Sequence, residues 1–296
     1  MLPTPEEMIG SLRCWRGAPT IARLPGGLSN ASFRVEDEAG VFVARLGRDF
    51  PFHHVSRRRE AAASRAAADL GLSPAVRHFE DGVLVCDFIV GRTLAAEDLR
   101  LSLEPIVDLL RRCHVGMRRE VRGEAAAFWV FHVIRDYAET LRMGGHAVAP
   151  ELPALVALAD ALEAAQVPLP IVFGHHDLLP GNFLDDGRRL WLIDWEYSGF
   201  GTPMFDLANL ADNGEYGTEL EDRLLSLYFE RAPDAATRRA FDAMKLASAL
   251  REMLWAMVSE LHLSAPGVDY AAYADACRTK FDRVRRDYTE RHGARA

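Results

Sequence analysis

His175, His176, Asp177, Asn182 and Asp194 stand in that order within VFGHHDLLPGNFLDDGRRLWLIDWEYSGFG, where this sequence concentrates groups able to do chemistry. An Asp, an Asn five positions on and a second Asp after an apolar run suit phosphoryl transfer, in which a protein supplies positioning and charge neutralisation rather than covalent chemistry. Asp177 would accept the proton of an attacking hydroxyl. Asn182 and Asp194 would offer oxygens to Mg²⁺ held against nucleotide phosphates. A general base contributes roughly 10²–10⁴-fold, so about 3–5 kcal/mol of barrier would rest on Asp177. Asp and Asn also cap turns, and each taken alone would be read that way. The ordered set, with a strand before, a loop between and a strand after, favours the chemical reading.

Such groups need short strands that present loops. Ile171-Val172-Phe173 and Leu190-Trp191-Leu192-Ile193 are short apolar runs flanking the polar motif, as a catalytic hairpin requires. Upstream, IARLPGGLSNASFRVEDEAGVFVARLG from Ile21 reads as strand, glycine turn, strand, turn, strand, with Phe33 and Val35 alternating with polar neighbours. An Ala-rich helix over roughly Ser56 to Leu70 is stopped by Gly71 and Pro74. Two more strands, Ala75–Phe79 and Gly82–Ile89, surround an Asp81-Gly82 turn. Residues 1–17 are helical at most. Past Val90-Gly91 the pattern turns helical: Ile106, Leu109, Leu110, Cys113 and Met117 form one apolar stripe, and similar patterns cover about 124–142, 151–166, 218–231, 235–263 and 269–291. The fold expected is α+β, with a small β-rich N-terminal lobe over residues 1–90, a larger mostly helical lobe over 91–296, and a hinge near 87–94.

At 296 residues the chain is long enough for two lobes around a sizeable core, and 49% hydrophobic with 26% charged residues is ordinary for a soluble globular protein. A net charge of −8 argues against nucleic acid as the main partner. Cys14, Cys86, Cys113 and Cys277 are scattered without a Cys-x-x-Cys pair, which suits reduced thiols rather than a disulfide framework or a zinc site. MLPTPEEMIG lacks the basic and apolar blocks of a signal peptide, and no apolar run approaches the ~20 residues of a membrane span. A cytoplasmic, soluble protein is the expectation.

The ordered motif resembles the catalytic loop of kinase-like proteins in their small-molecule branch, where His-Arg-Asp becomes His-x-Asp and Asp-Phe-Gly becomes Ile-Asp-Trp/Phe-Glu. His175 through Asn182 and Ile193-Asp194-Trp195-Glu196-Tyr197 are similar to choline/ethanolamine kinases more than to aminoglycoside phosphotransferases. Phe205-Asp206-Leu207-Ala208-Asn209 and Gly26-Gly27-Leu28-Ser29-Asn30 match the same group, and the resemblance runs over about 20 to 290. It implies a two-lobed protein-kinase-like fold that uses ATP and Mg²⁺. It implies that Gly27, Ser29 and Asn30 belong to a turn covering the nucleotide phosphates, that Arg45 takes the place of the phosphate-binding strand lysine, and that Glu60 holds Arg45. Phe88 and Ile89 would lie in the hinge that meets adenine. His175 is expected to pack and bond backbone, and Asp206 to brace the loop.

For the acceptor, the resemblance implies a small amino alcohol, choline first. A quaternary ammonium is held by aromatic faces and carboxylates, each cation–π contact contributing roughly 0.5–2 kcal/mol. Tyr197 and Trp255 match aromatic positions of the choline pocket, Glu252 lies one turn before Trp255, and Glu196 offers further negative charge. The pattern departs from choline kinases at Glu252, where they commonly show another aromatic, and at Asn213, where they carry an acidic residue. Ethanolamine, thiamine and aminoglycosides therefore stay open as acceptors. A non-catalytic pseudokinase usually loses the base or a metal ligand, and all three are present here. A protein kinase is disfavoured because no Ala-Pro-Glu segment follows and the stretch from Asp194 to Asp206 is short. The residues do not give the oligomeric state.

Overall fold

The computed structural model of the chain describes residues 3–25, 30–80, 82–264 and 267–293. Gly27 and Ser29 of the expected phosphate-covering turn, and Asp81 of the expected hairpin turn, lie outside the described residues.

The N-terminal part begins with helix α1 (Pro5–Gly10), whose Thr4 and Glu7 form a reciprocal capping box. Strands β1 (Thr20–Arg23), β2 (Ala31–Asp37) and β3 (Gly40–Leu46) follow, then helix α2 (Arg57–Asp69), β4 (Val76–Glu80) and β5 (Val83–Asp87). All pairings are antiparallel, in the order β1-β2-β3-β5-β4. The alternation seen in the sequence holds: Phe33, Val35, Ala44, Val83 and Val85 turn to one face and pack on Ile9 and Leu12. The backbone N–H of Arg57, at the first turn of α2, donates to Asp49 Oδ1 (2.7 Å), and Gly71 just past the helix takes the left-handed φ of 66°.

The rest comprises β6 (Arg92–Thr93), α3 (Ala96–Leu101), α4 (Leu103–Glu120), α5 (Val130–Met143) and α6 (Leu152–Ala164). Next come β7 (Val172–Gly174), β8 (Phe183–Asp185), β9 (Leu190–Leu192) and β10 (Gly199–Gly201). The chain closes with α7 (Pro203–Asn213), α8 (Thr218–Phe229), α9 (Ala235–His262) and α10 (Tyr270–His292). The stripe on α4 is buried as its spacing requires. The long α9 buries residues all round and lies at the centre of the helical part, against α5, α6, α7 and α10. Among the described residues no helix is long and apolar enough to cross a membrane.

Two features depart from the sequence reading. The helix expected from about 124 begins at Val130, because the preceding residues run extended beside β10: Phe200 N–H donates to Ala126 O and Phe128 N–H to Phe200 O, both at 2.8 Å. The core also ignores the expected boundary near residue 90. Ala63, Ala66, Ala67 and Leu72, in and after α2, belong to the same apolar cluster as α4, α7 and α9. Small side chains let α2 lie close to α4, so this helix bridges the sheet and the helical part.

The connection after β5 crosses the β8–β9 hairpin so closely that a Cβ on Gly91 would lie 2.4 Å from the carbonyl oxygen of Asp185. Only glycine tolerates that approach to backbone. Gly91→Val is expected to destabilise the protein by about 1–3 kcal/mol, read as a lowered Tm. An unchanged Tm would show that the connection yields without cost.

Candidate active site

The loop bearing Asp177 leaves the buried strand β7 and is pinned from below by α7. Asp206, fully buried, accepts hydrogen bonds from the backbone N–H groups of His175 (2.9 Å) and His176 (2.8 Å), and its Oδ2 lies 2.8 Å from Nε2 of His114. Burial works against its charge, but His176, His114 and His175 around it outweigh burial and hold the carboxyl below its ordinary range. One turn on, Asn209 Oδ1 accepts from Leu178 N–H (2.7 Å), and Asn213 Nδ2 donates to Leu178 O (3.2 Å). The Phe-Asp-x-x-Asn run is thus a clamp on the loop, and Asn213 faces the loop backbone.

Both histidines are structural. His175 Nε2–H must donate to Ile193 O (2.8 Å), while its Nδ1 accepts from Asp177 N–H (3.3 Å), which fixes a neutral tautomer. His176 adopts φ 65°, stacks on Phe128 at 4.1 Å, and burial pushes its pKa down to about 4. Gly174 and Gly201 make room for it, since a Cβ at either would crowd its Nε2 at 2.5 and 3.2 Å.

Asn182, in a 3-10 turn begun by Pro180, donates Nδ2 to Asp177 O (2.8 Å) and to Asp177 Oδ2 (3.1 Å). Its Oδ1 remains as an acceptor. The half-buried Asp177 carboxyl is pushed well above the ordinary range, mainly by burial; Arg251 opposes the shift and Asp194, Glu252 and Glu196 reinforce it. A more basic carboxylate is the kind that accepts a hydroxyl proton near neutrality. Asp194, just past β9, is also left-handed, with φ 69°, a conformation that costs a non-glycine residue energy and is held here by its contacts.

The sheet reaches this loop through one guanidinium. Arg45 of β3 binds Glu60 Oε1 through Nη1 and Asp194 Oδ1 through Nη2, each at 2.7 Å. The second oxygen of Glu60 is held by Arg57 Nη1 (2.6 Å), which also binds Glu196 Oε2 (2.7 Å). Asn30 Nδ2 donates to the same Glu196 oxygen (3.0 Å). Arg57, read from sequence only as a basic neighbour of Glu60, is therefore a buried link, and the helix spacing of three residues between it and Glu60 was the available signal. Phe88 follows β5 and spends its N–H on Val41 O (3.0 Å); Ile89 comes next on the connection.

The expected cation cage is arranged differently. Trp255 is buried, stacks on His53 (4.8 Å between centroids), and donates Nε1–H to Tyr197 Oη (2.8 Å). Glu252 accepts from Tyr273 Oη (2.6 Å) and pairs with Arg251 Nη1 (2.9 Å). Arg251, which the sequence reading passed over, lies over the Tyr197 ring at 4.6 Å. A guanidinium of the chain itself takes the aromatic face expected to hold a substrate ammonium. A cavity of about 100 Å³ is lined by Tyr197, Glu196, Arg251, Tyr137, Phe128 and His132 among others; Trp255 and Glu252 are not in its wall.

A five-stranded sheet joined to a helical part, with Asp177, Asn182 and Asp194 on two consecutive loops, defines a kinase-like small-molecule phosphotransferase. The chain belongs to the phosphotransferase enzyme family, whose model matches residues 20–245, and its branch is that of the choline/ethanolamine kinases. A choline/ethanolamine kinase family protein from Mesorhizobium loti is 30% identical, with a TM-score of 0.71, over 97% of this chain and 91% of that one. The protein LicA of Haemophilus influenzae is 25% identical over 264 residues, 84% of this chain and 75% of LicA. A probable ethanolamine kinase of Arabidopsis thaliana is 26% identical over 299 aligned residues, 86% of this chain and 76% of the relative.

Asp206→Ala strands two buried backbone donors and is expected to cost about 3–5 kcal/mol in urea unfolding. Because the folded-state pKa of Asp206 is depressed, its contribution is fully present above the ordinary carboxyl pKa near ~4 and is lost as pH falls through the lowered value. The gap between wild type and variant should therefore shrink in acid; a gap independent of pH would mean the charge is not what holds the loop.

Proposed function

We propose that this chain transfers the γ-phosphoryl group of ATP to the hydroxyl of a small alcohol, with amino alcohols of the choline and ethanolamine kind as the acceptors its relatives suggest. The observation that carries the reading is the joint placement of Asp177, Asn182 and Asp194 with Arg45, which reaches them from the sheet at 2.7 Å from Asp194. In it, residues 1–90 serve the nucleotide and 91–296 supply catalysis and the acceptor site.

Asp177 accepts the proton as the alcohol oxygen attacks the γ-phosphorus in line, and the bond to the leaving ADP oxygen breaks. Asn182, through its two bonds to Asp177, keeps the carboxylate aimed. Arg45, steadied by Glu60, neutralises phosphate charge beside Asp194. Asn182 Oδ1 and the free oxygen of Asp194 are hard donors, and among the described residues no group of three or more His, Cys, Asp or Glu forms a metal cage. Two protein oxygens completed by phosphates and water suit Mg²⁺. When bound, Mg²⁺ would supply charge neutralisation at the phosphate oxygens. Tyr197 and Glu196 are the acceptor-side residues, since both line the cavity. A cytoplasmic setting, where ATP is available and the four cysteines stay free, fits this reading.

Asp177→Asn is expected to lower kcat by at least about 10²-fold with ATP binding intact, measured by coupled ADP release and by nucleotide titration. A near-normal rate would take Asp177 out of the mechanism. Arg45→Met should raise KM for ATP more than KM for the alcohol; the reverse split would assign Arg45 to the acceptor.

A further inference from the structure

Helix α10 carries none of the groups assigned to phosphoryl transfer, yet it reaches the back of the active site at two points. Tyr273 and Lys280 lie seven residues apart on one face of the helix, with buried Cys277 between them. Tyr273 Oη donates to Glu252 Oε1 (2.6 Å), and Glu252 pairs with Arg251 beside Tyr197. Lys280 sends its ammonium to the end of α7, where Nζ lies 2.9 Å from Asp212 Oδ2 and 3.5 Å from Asn213 Oδ1. Asp212 is buried, so its charge needs a cation beside it, and that need brings the ammonium to Asn213.

The second point bears on Asp177. An ammonium has donors and no acceptor, so beside an amide it can bond only the carbonyl oxygen. Holding Asn213 Oδ1 turns Nδ2 the other way, onto Leu178 O (3.2 Å) and Asn209 Oδ1 (3.3 Å). Asn209 Oδ1 in turn accepts from Leu178 N–H at 2.7 Å. Both backbone polar groups of Leu178, the residue after Asp177, are therefore fixed by two linked amides. A flipped Asn213 amide would set its oxygen against the Leu178 carbonyl and the Asn209 oxygen, neither of which can donate. It would also turn its NH₂ group on the Lys280 ammonium.

We infer that Lys280 is a positioning residue of the transfer reaction: by fixing the Asn213 amide it holds the Leu178 peptide, and with it the aim of the Asp177 carboxylate. The inference rests on the alcohol-kinase reading and adds α10 to the elements that set the proton acceptor. A misaimed acceptor slows the chemical step without changing how either substrate binds, so the role belongs to kcat rather than KM.

The test is a double-mutant cycle on the full chain, followed by ADP release with Mg-ATP and whichever of choline and ethanolamine turns over faster. Lys280→Met and Asn213→Ala should each lower kcat by about 10-fold, with both KM values within about twofold of wild type. The double variant should fall no further than the slower single one, because both act through one amide. Lys280→Arg keeps the charge and should recover most of the lost rate. Lys280→Met strands the buried Asp212 charge, so Lys280→Met with Asp212→Asn replaces it should the single variant fail to fold. Wild-type kcat in that charge-free variant overturns the inference and leaves Lys280 a stabilising ion pair. Losses that multiply across the cycle overturn it as well, and so does a larger change in KM for the alcohol than in kcat. Hydrogen exchange at the Leu178 amide reads the loop without turnover, and should quicken on the order of tenfold in Lys280→Met. If wild type releases ADP with no alcohol, the alcohol-kinase reading falls and exchange decides: quickened, it leaves the positioning contact standing; unchanged, it removes that contact too.

Discussion

The alternating chain of charge Asp194–Arg45–Glu60–Arg57–Glu196 is the constraint on which the rest of the molecule depends. It starts and ends on residues two apart, after β9, and passes between them through β3 and α2 of the sheet side. Each charge in it is paired on both sides or at one end, which offsets the desolvation that would otherwise forbid burying it. Removing one member leaves a buried charge uncompensated, so the chain behaves as one unit. Its consequence is positional: Asp194 cannot be placed without also placing α2 and the strand that carries Arg45.

The opposite side of the loop is held by neutral and charge-assisted hydrogen bonds from one helix. Asp206, Asn209 and Asn213 fall three and four residues apart, so they share a face of α7 and meet successive backbone groups of the loop. That regularity lets His176 sit at positive φ, since the surrounding bonds over-determine a conformation that the residue alone would avoid. Clamps on both sides hold the loop that carries the Asp177 carboxylate, to which Asn182 donates.

Arg251 sits among the aromatic residues that the resemblance assigns to the acceptor pocket. Trp255 donates Nε1–H to Tyr197 Oη, and the Arg251 guanidinium lies over the Tyr197 ring. A cation–π site therefore persists, with its cation supplied by the protein.

Local rules made much of this legible from residue order. Alternation in β2, the glycine stop of α2 and the stripe on α4 depend on neighbours within a few residues, so sequence alone determined them, and the order of Asp177, Asn182 and Asp194 was legible as a motif. The pairing of Arg45 with Glu60, expected from resemblance, is also present. Sequence could not show that residues 124–129 would run extended, because that depends on β10 from far along the chain. Nor could it show that the alanines of α2 join the helical core, that Arg57 links Glu60 to Glu196, or that Arg251 covers Tyr197 while Glu252 turns to Tyr273. These are contacts between residues tens to more than a hundred positions apart. Only tertiary packing decides them, since a buried charge takes whichever partner the fold brings within reach.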